Sequence, residues 1–195
     1  MKAFKMFGIV LGVALFIFTI ASVASAQTYD GLWWKVKASF DGVQISETGA
    51  VVDNNFKGSG TIYINTELIT KTVDTTEITG YNFNTCTESL VKGEWITATS
   101  FIDLGNTYGG VTILDFFNTE TDGIVIDNGE SVFKLYPVLA VKIKSSSKAS
   151  FATVTCSGDA AGPKPFFALV SCDLKGKTMT DKQIAKKVPA ACLLP

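Results

Sequence analysis

The chain has 195 residues, 47% of them hydrophobic, and a formal net charge of −1. It contains no His, and its 17 basic side chains are all Lys, so Arg is absent as well. Without His there is no Ser-His-Asp or Cys-His nucleophile system and no imidazole metal ligand. Without Arg there is no bidentate fork for phosphates or base edges. We therefore expect a non-catalytic protein with no cofactor, no metal and no nucleic-acid partner.

The first 26 residues have the pattern of a secretory signal peptide. Lys2 and Lys5 precede an almost wholly apolar run over 7–20, which is too short for a comfortable membrane span. Ala24-Ser25-Ala26 supplies the small residues that precede a cleavage site, so we predict that the mature protein begins at Gln27. The basic start is of the bacterial type. We expect an exported protein, periplasmic or extracellular, with no membrane span after cleavage.

The segment that follows, residues 27–195, is long enough for one domain with its own core, and no change in composition divides it. Its charges are unevenly placed along the chain. Residues 27–130 carry 15 acidic residues and 5 Lys, whereas residues 131–195 carry 10 Lys and 3 acidic residues. Such asymmetry marks an interaction surface, or it arises when acidic and basic strands alternate in one sheet and neutralise each other. The sequence leaves both interpretations open.

Hydrophobic side chains recur with a period of two along most of this segment, which is typical of β-strands. From Trp34 to Phe40 apolar residues alternate with Lys and Ser, so this strand has one apolar and one polar face. Asp41-Gly42 is a favoured hairpin dipeptide, and Gly58-Ser59-Gly60 predicts a second turn before a strand over 61–65. Further strands are predicted at 43–45, 68–74, 77–84, 88–104, 110–117, 123–127, 131–144, 149–156 and 166–174, with turns at 106–110, 121–123 and 127–129.

Two local features depart from simple alternation. Pro137 interrupts a long apolar run, and because proline cannot donate to a strand ladder, this strand is expected at a sheet edge or with a bulge. Near the C-terminus, Thr180 and Gln183 have the spacing of a capping box, and the pattern predicts a short amphipathic helix over 180–188 that Pro189 ends. This helix is expected to lie on the sheet and to cover an edge or a barrel end.

These elements predict an all-β protein, a single-domain antiparallel β-barrel or β-sandwich with one short C-terminal helix. Gly31-Leu32-Trp33 resembles the Gly-x-Trp pattern that opens the first strand of lipocalin-like barrels, and the resemblance would imply an up-and-down barrel around a ligand cavity. That family also packs a late Arg against the tryptophan, and this chain has no Arg, so membership is not assigned. In the alternative interpretation Trp34 anchors the core and Trp33 is partly exposed, which makes Trp34→Ala far more destabilising than Trp33→Ala.

The function we predict is non-catalytic binding by an exported β-sheet protein. In the leading version the interior of the sheet holds a small apolar or amphipathic molecule. The residues expected to line that interior are Trp34, Phe40, Tyr63, Trp95 and Phe101. In the alternative version the protein is a cell-surface or extracellular assembly module that self-associates through its acidic region, 27–130, and its basic region, 131–195. A small outer-membrane β-barrel is a third interpretation, because eight strands of about ten residues would fit this length.

The cysteines predict two disulfides, because their number is even and the chain is expected to be exported. They are Cys86, Cys156, Cys172 and Cys192. Sequence alone allows three connectivities. We favour Cys172–Cys192 with Cys86–Cys156, because residues 173–191 can leave the last strand, form the helix and return beside Cys172. The main alternative joins Cys156 to Cys172 and leaves Cys192 to reach Cys86.

Overall fold

The structure is a computed structural model that describes residues 29–73, 75–89, 91–103, 106–116, 123–145, 148–162 and 166–193. The predicted signal peptide and the cleavage site before Gln27 lie outside the described residues. No helix among the described residues is long and apolar enough to cross a membrane. The elements are β1 (Leu32–Ile45), β2 (Val51–Val73), β3 (Thr76–Glu88), β4 (Trp95–Asp103), β5 (Asn106–Tyr108), β6 (Val111–Asp115), β7 (Ile124–Asp127), β8 (Val132–Ser145), β9 (Lys148–Gly162), β10 (Phe166–Thr178), α1 (Asp181–Lys187) and a 3₁₀ turn (Ala190–Leu193).

The strands form one antiparallel sheet in the order β4-β3-β2-β1-β10-β9-β8-β6-β5, and β7 also pairs with β8. The first and last strands are neighbours, since β1 and β10 pair along most of their lengths, beginning with Trp34 opposite Thr178. A hydrogen bond between distant strands shows that the sheet curls. Thr85 Oγ1 on β3 donates it to the Val125 carbonyl oxygen on β7 at 2.7 Å. No strand ladder joins β4 to β7 among the described residues. The all-β prediction is confirmed; because this sheet is not closed by backbone pairing, neither barrel nor sandwich is assigned.

The larger hydrophobic core lies on one face of the sheet, which we call the inner face. As predicted, alternate residues of β1 from Trp34 to Phe40 are buried there. The Trp34 and Phe151 ring centroids lie 5.1 Å apart, and Phe40 stacks on Phe133 with centroids 5.0 Å apart. Aromatic side chains from strands that are distant in sequence therefore fill the interior.

A second, smaller hydrophobic cluster lies on the opposite face, which we call the outer face, and the C-terminal segment covers it. The helix prediction is confirmed: Gln183 Oε1 accepts a hydrogen bond from the Thr180 backbone N–H at 3.0 Å, as a capping box requires. α1 buries Ile184 in this cluster. Trp33 belongs to the same cluster and is only 7% exposed, so the prediction that Trp33 is partly exposed is wrong.

Two predicted turns are parts of continuous strands instead. β1 runs through Asp41-Gly42 to Ile45, and the chain reverses over 46–50. Gly42 serves close packing rather than turning, because a Cβ at this position would collide with the Leu169 carbonyl oxygen on β10. Gly58-Ser59-Gly60 lies within β2, where its residues are ladder partners of β1. Local turn signals are overruled here by partner strands on both sides of β1.

Pro137 sits at an interruption in the strand pairing of β8. This strand pairs with β9 on one side and with β6 and β7 on the other, so it is not at an edge. The bulge alternative is confirmed, because the register with β9 shifts between Val138 and Leu139. Pro137 lies between the β7 and β6 ladders, where its carbonyl oxygen accepts a hydrogen bond from the Phe116 N–H at 3.0 Å. A residue without an N–H is tolerated at such a gap.

The four cysteines form two disulfides, as predicted, but with the alternative connectivity. Cys86 pairs with Cys192 and Cys156 pairs with Cys172, with Cα atoms 5.8 and 5.1 Å apart. The favoured pairing of Cys172 with Cys192, and with it Cys86–Cys156, is wrong, because the C-terminal segment crosses the outer face to β3. Cys156 and Cys172 lie on the neighbouring strands β9 and β10. Two disulfides are compatible with an oxidising, exported environment.

Candidate functional site

The five residues predicted to line a ligand site do not come together. Trp34 and Phe40 are buried in the inner core. Tyr63 lies in the outer cluster and Trp95 packs against it, with ring centroids 6.0 Å apart. Phe101 is on the outer face as well, since its neighbours on β4 are buried on the inner side. The prediction that Tyr63, Trp95 and Phe101 line the interior is wrong, because strand register turns them to the opposite face from Trp34.

The inner core contains a small apolar cavity of about 60 Å³. Trp34, Phe83 and Phe151 are among its lining residues. The one polar atom of the Trp34 ring already has a partner, since Nε1 donates a hydrogen bond to Thr66 Oγ1 at 2.8 Å. Pockets for drug-sized ligands measure about 300–1,000 Å³. The cavity is well below that range.

A much larger cleft, of about 820 Å³, opens on the outer face beside the C-terminal segment; we call it the outer cleft. Its floor consists of two rows of outward-facing side chains from adjacent strands. The first row is Trp33, Asn65, Asn84 and Thr99 on β1 to β4, and the second is Glu67 and Asn82 on β2 and β3. Strand register thus brings polar side chains from three strands, β2 to β4, to one cleft beside Trp33 of β1.

The walls of the outer cleft come from both ends of the described chain. Residues 191–193 line it and are held in place by the disulfide to β3. Tyr29 and Asp30 line it as well. Gly31 lets this N-terminal segment lie close to β2: its φ is +73°, and a Cβ there would lie 2.6 Å from Asn65 Oδ1.

Asparagine side chains supply the hydrogen-bonding capacity of the outer cleft. Asn65 is 8% exposed; its Nδ2 donates to the Asp30 carbonyl oxygen at 2.8 Å, and its Oδ1 has no partner among the described residues. Asn82 Oδ1 is buried and unpaired in the same way. Asn84 Oδ1 accepts a hydrogen bond from Thr99 Oγ1 at 2.8 Å. A buried polar atom without a partner costs about 1–3 kcal/mol, so these two oxygens require a donor that no described residue supplies.

The charged side chains of the outer cleft are acidic. Asp30 and Glu67 line it, and none of its described lining residues is a Lys. A ligand that carries a carboxylate or a phosphate would meet two like charges without a compensating cation. The outer cleft therefore favours neutral or cationic ligands over anionic ones.

The asparagines are functional candidates that the sequence analysis missed. A signal for them exists: Asn65, Asn82 and Asn84 stand inside strands, where Asn is depleted. Asn82 and Asn84 are two residues apart on β3, so they share a face. That pattern predicts a polar strip but no cleft, because the wall formed by residues 191–193 depends on a disulfide whose partner the sequence does not reveal.

No family model matches the chain, and no curated protein matches it. Within the described residues, no group of three or more Cys, Asp or Glu side chains is placed to hold a metal ion. A proposal on function therefore rests on the residues of the outer cleft and their chemistry.

Proposed function

We propose that this protein is an exported, non-catalytic binding protein whose outer cleft holds a neutral saccharide. The observation that carries this proposal is Asn65, which lines the cleft, is 8% exposed and has an Oδ1 that no described residue hydrogen-bonds. Asn82 adds a second unpaired acceptor on the same floor. Both oxygens are buried in the structure, so a ligand hydroxyl would reach them after the amide turns toward the cleft, and its hydrogen bond would then offset the cost of their burial.

A saccharide fits the remaining chemistry of the outer cleft. Its hydroxyl groups both donate and accept hydrogen bonds, as the amides of Asn82 and Asn84 and the hydroxyl of Thr99 do. The rings of Tyr29 and Trp33 also line the cleft and offer apolar surface to the C–H groups of a sugar. A neutral sugar avoids the repulsion that an acidic one would meet in this cleft.

This proposal keeps the non-catalytic binding predicted from sequence and changes both the place and the ligand. An apolar guest would need an interior space several times larger than the cavity of about 60 Å³ in the inner core. The outer cleft has the volume for a di- or trisaccharide and a polar floor. Binding on the outer face also leaves the packed interior undisturbed.

The test is isothermal titration calorimetry of the oxidised protein with neutral disaccharides, namely cellobiose, maltose and lactose, and with glucose against glucuronate. We expect at least one neutral sugar to bind and glucuronate to bind less well than glucose. Asn82→Leu should weaken binding by about tenfold, the equivalent of one good hydrogen bond. Its free energy of unfolding should be unchanged or higher, because the replaced Oδ1 has no partner.

Asn54→Leu is the matched control. Asn54 lies on β2, is exposed and does not line the outer cleft, so this variant should bind like the original protein. The proposal fails if none of these sugars binds, or if Asn82→Leu and Asn54→Leu bind with the same affinity as the unmodified protein.

A further inference from the structure

Two pairs of lysines face each other directly on the outer face of β1 and β10. Lys35 is opposite Lys177, and Lys37 is opposite Lys175. Like charges directly opposite each other in an antiparallel pair are destabilising. Successive lysines on each strand are two residues apart, which separates them by about 6.8 Å along the strand. The result is a compact two-by-two group of ammonium ions, which we call the lysine array.

Acidic neighbours compensate little of this charge. Lys175 Nζ lies 2.5 Å from Asp173 Oδ2. In the part of the chain that the structure describes, Lys35, Lys37 and Lys177 have no carboxylate within salt-bridge distance. Three of the four ammonium groups of the lysine array therefore lack a carboxylate partner among the described residues.

A shallow trough of about 480 Å³ lies beside the lysine array. Lys37, Lys175 and Asp173 line it, and Asp173 forms an ion pair with Lys175. Three hydroxyl side chains complete its polar lining, those of Ser39, Ser59 and Thr61. The largest apolar side chain among its described lining residues is that of Ala38. The trough thus combines positive charge with hydroxyl groups on a surface without apolar anchors.

We propose that the lysine array and its trough bind an acidic polysaccharide. Ammonium groups repeated on adjacent strands suit a chain of repeated carboxylates, and the hydroxyls beside them suit sugar hydroxyls. Lysine is a point-charge partner for carboxylates and phosphates alike, so the hydroxyl groups of the trough are the feature that favours a sugar polymer. A membrane interface would call for aromatic or aliphatic anchors, which the trough lacks. None of the four lysines lines the outer cleft, so this inference does not rest on the proposed function.

The test measures binding of polygalacturonate to the oxidised protein at low ionic strength, with neutral dextran, polyphosphate and phosphatidylserine vesicles as comparison probes. Lys37→Gln with Lys177→Gln removes two charges from the array. Lys92→Gln with Lys134→Gln removes the same charge from exposed positions elsewhere, in the turn before β4 and on β8. Ser39→Leu obstructs the trough without changing any charge.

We expect polygalacturonate to bind and dextran not to bind. The array variant should weaken binding by about tenfold, Ser39→Leu should weaken it too, and the charge-matched control should stay within about twofold. Added salt should weaken binding further, because it screens exposed charges. The proposal is overturned if polygalacturonate does not bind, if both double variants lose affinity equally, or if polyphosphate or the vesicles bind as tightly.

Discussion

The Cys86–Cys192 disulfide contributes to the free energy of unfolding and also holds one wall of the outer cleft, so its removal tests both. We consider Cys86→Ala with Cys192→Ala, so that no free thiol is left, and compare it with Cys156→Ala and Cys172→Ala. The two bonds span 106 and 16 residues of sequence. In the chain-entropy model, loops of these lengths contribute about 4.8 and about 3.1 kcal/mol to the free energy of unfolding at 25 °C. Loss of Cys86–Cys192 should therefore lower the free energy of unfolding by about 1.7 kcal/mol more than loss of Cys156–Cys172 does.

Two structural details adjust this difference. The short disulfide lies within the loop of the long one, but loop entropy varies with the logarithm of length, so nesting changes the estimate by only about 0.1–0.2 kcal/mol. Cys86 and Cys192 are 2% and 7% exposed, whereas Cys156 and Cys172 are half-buried. Truncation to Ala therefore leaves more unfilled space at the buried pair, which widens the difference.

Urea titration followed by tryptophan fluorescence measures both losses and also reports on the C-terminal segment. α1 has 7 residues, too few to persist without tertiary support. Without its disulfide the segment should leave Trp33, so emission should shift to the red and acrylamide should quench it under native conditions. The variant that lacks Cys156 and Cys172 should keep the original emission. Equal losses of unfolding free energy, or unchanged emission without Cys86–Cys192, would refute the reasoning.

Further substitutions test the two faces of β1 and the N-terminal wall of the outer cleft. Trp34→Ala should lower the free energy of unfolding by about 3–5 kcal/mol. Trp33→Ala should cost about 3 kcal/mol as well, because α1 buries it; a loss below about 1 kcal/mol in urea titration would contradict that placement. Gly31→Ala should lower the free energy of unfolding by about 1–3 kcal/mol, because of the positive φ and the clash with Asn65. The NMR signal of the Asn65 side-chain amide should shift in this variant. Gly49→Ala is the control for Gly31→Ala. Gly49 has a φ of +81° and open space around it, so its substitution measures the backbone strain without a clash.

Features that local spacing decides are predictable from this sequence. Alternation alone places Trp34 and Phe40 on the inner face, and the structure buries both. Thr180, Gln183 and Pro189 predict the C-terminal helix, and they lie within one short stretch of sequence. An even number of cysteines predicts their oxidation without any knowledge of the fold.

Features that depend on which elements become neighbours are not predictable in this way. Gly42 carries a hairpin signal, yet β1 continues through it because β2 and β10 supply partners on both sides. Alternation places Trp33 on the opposite face of β1 from Trp34 but does not show that α1 and the 3₁₀ turn will cover that face. The outer cleft has the same origin, since the contacts of Asn65 with Asp30 and Gly31 form only when the segment before β1 packs against β2.

The outer face departs from what stabilises a sheet at two places. Asn65 and Asn82 bury unpaired acceptors, and Lys35 stands directly opposite Lys177. Local conflicts that a folded protein retains are expected at surfaces that serve binding. Removing the repulsion between Lys35 and Lys177 should therefore stabilise the protein. Lys177→Glu should raise the free energy of unfolding by about 0.5–1 kcal/mol. Added salt should reduce this gain, because it screens exposed charges. Thermal unfolding at low and high ionic strength measures both effects. A loss of stability at low salt would show that the opposed lysines are no conflict and would remove the physical basis for the lysine array.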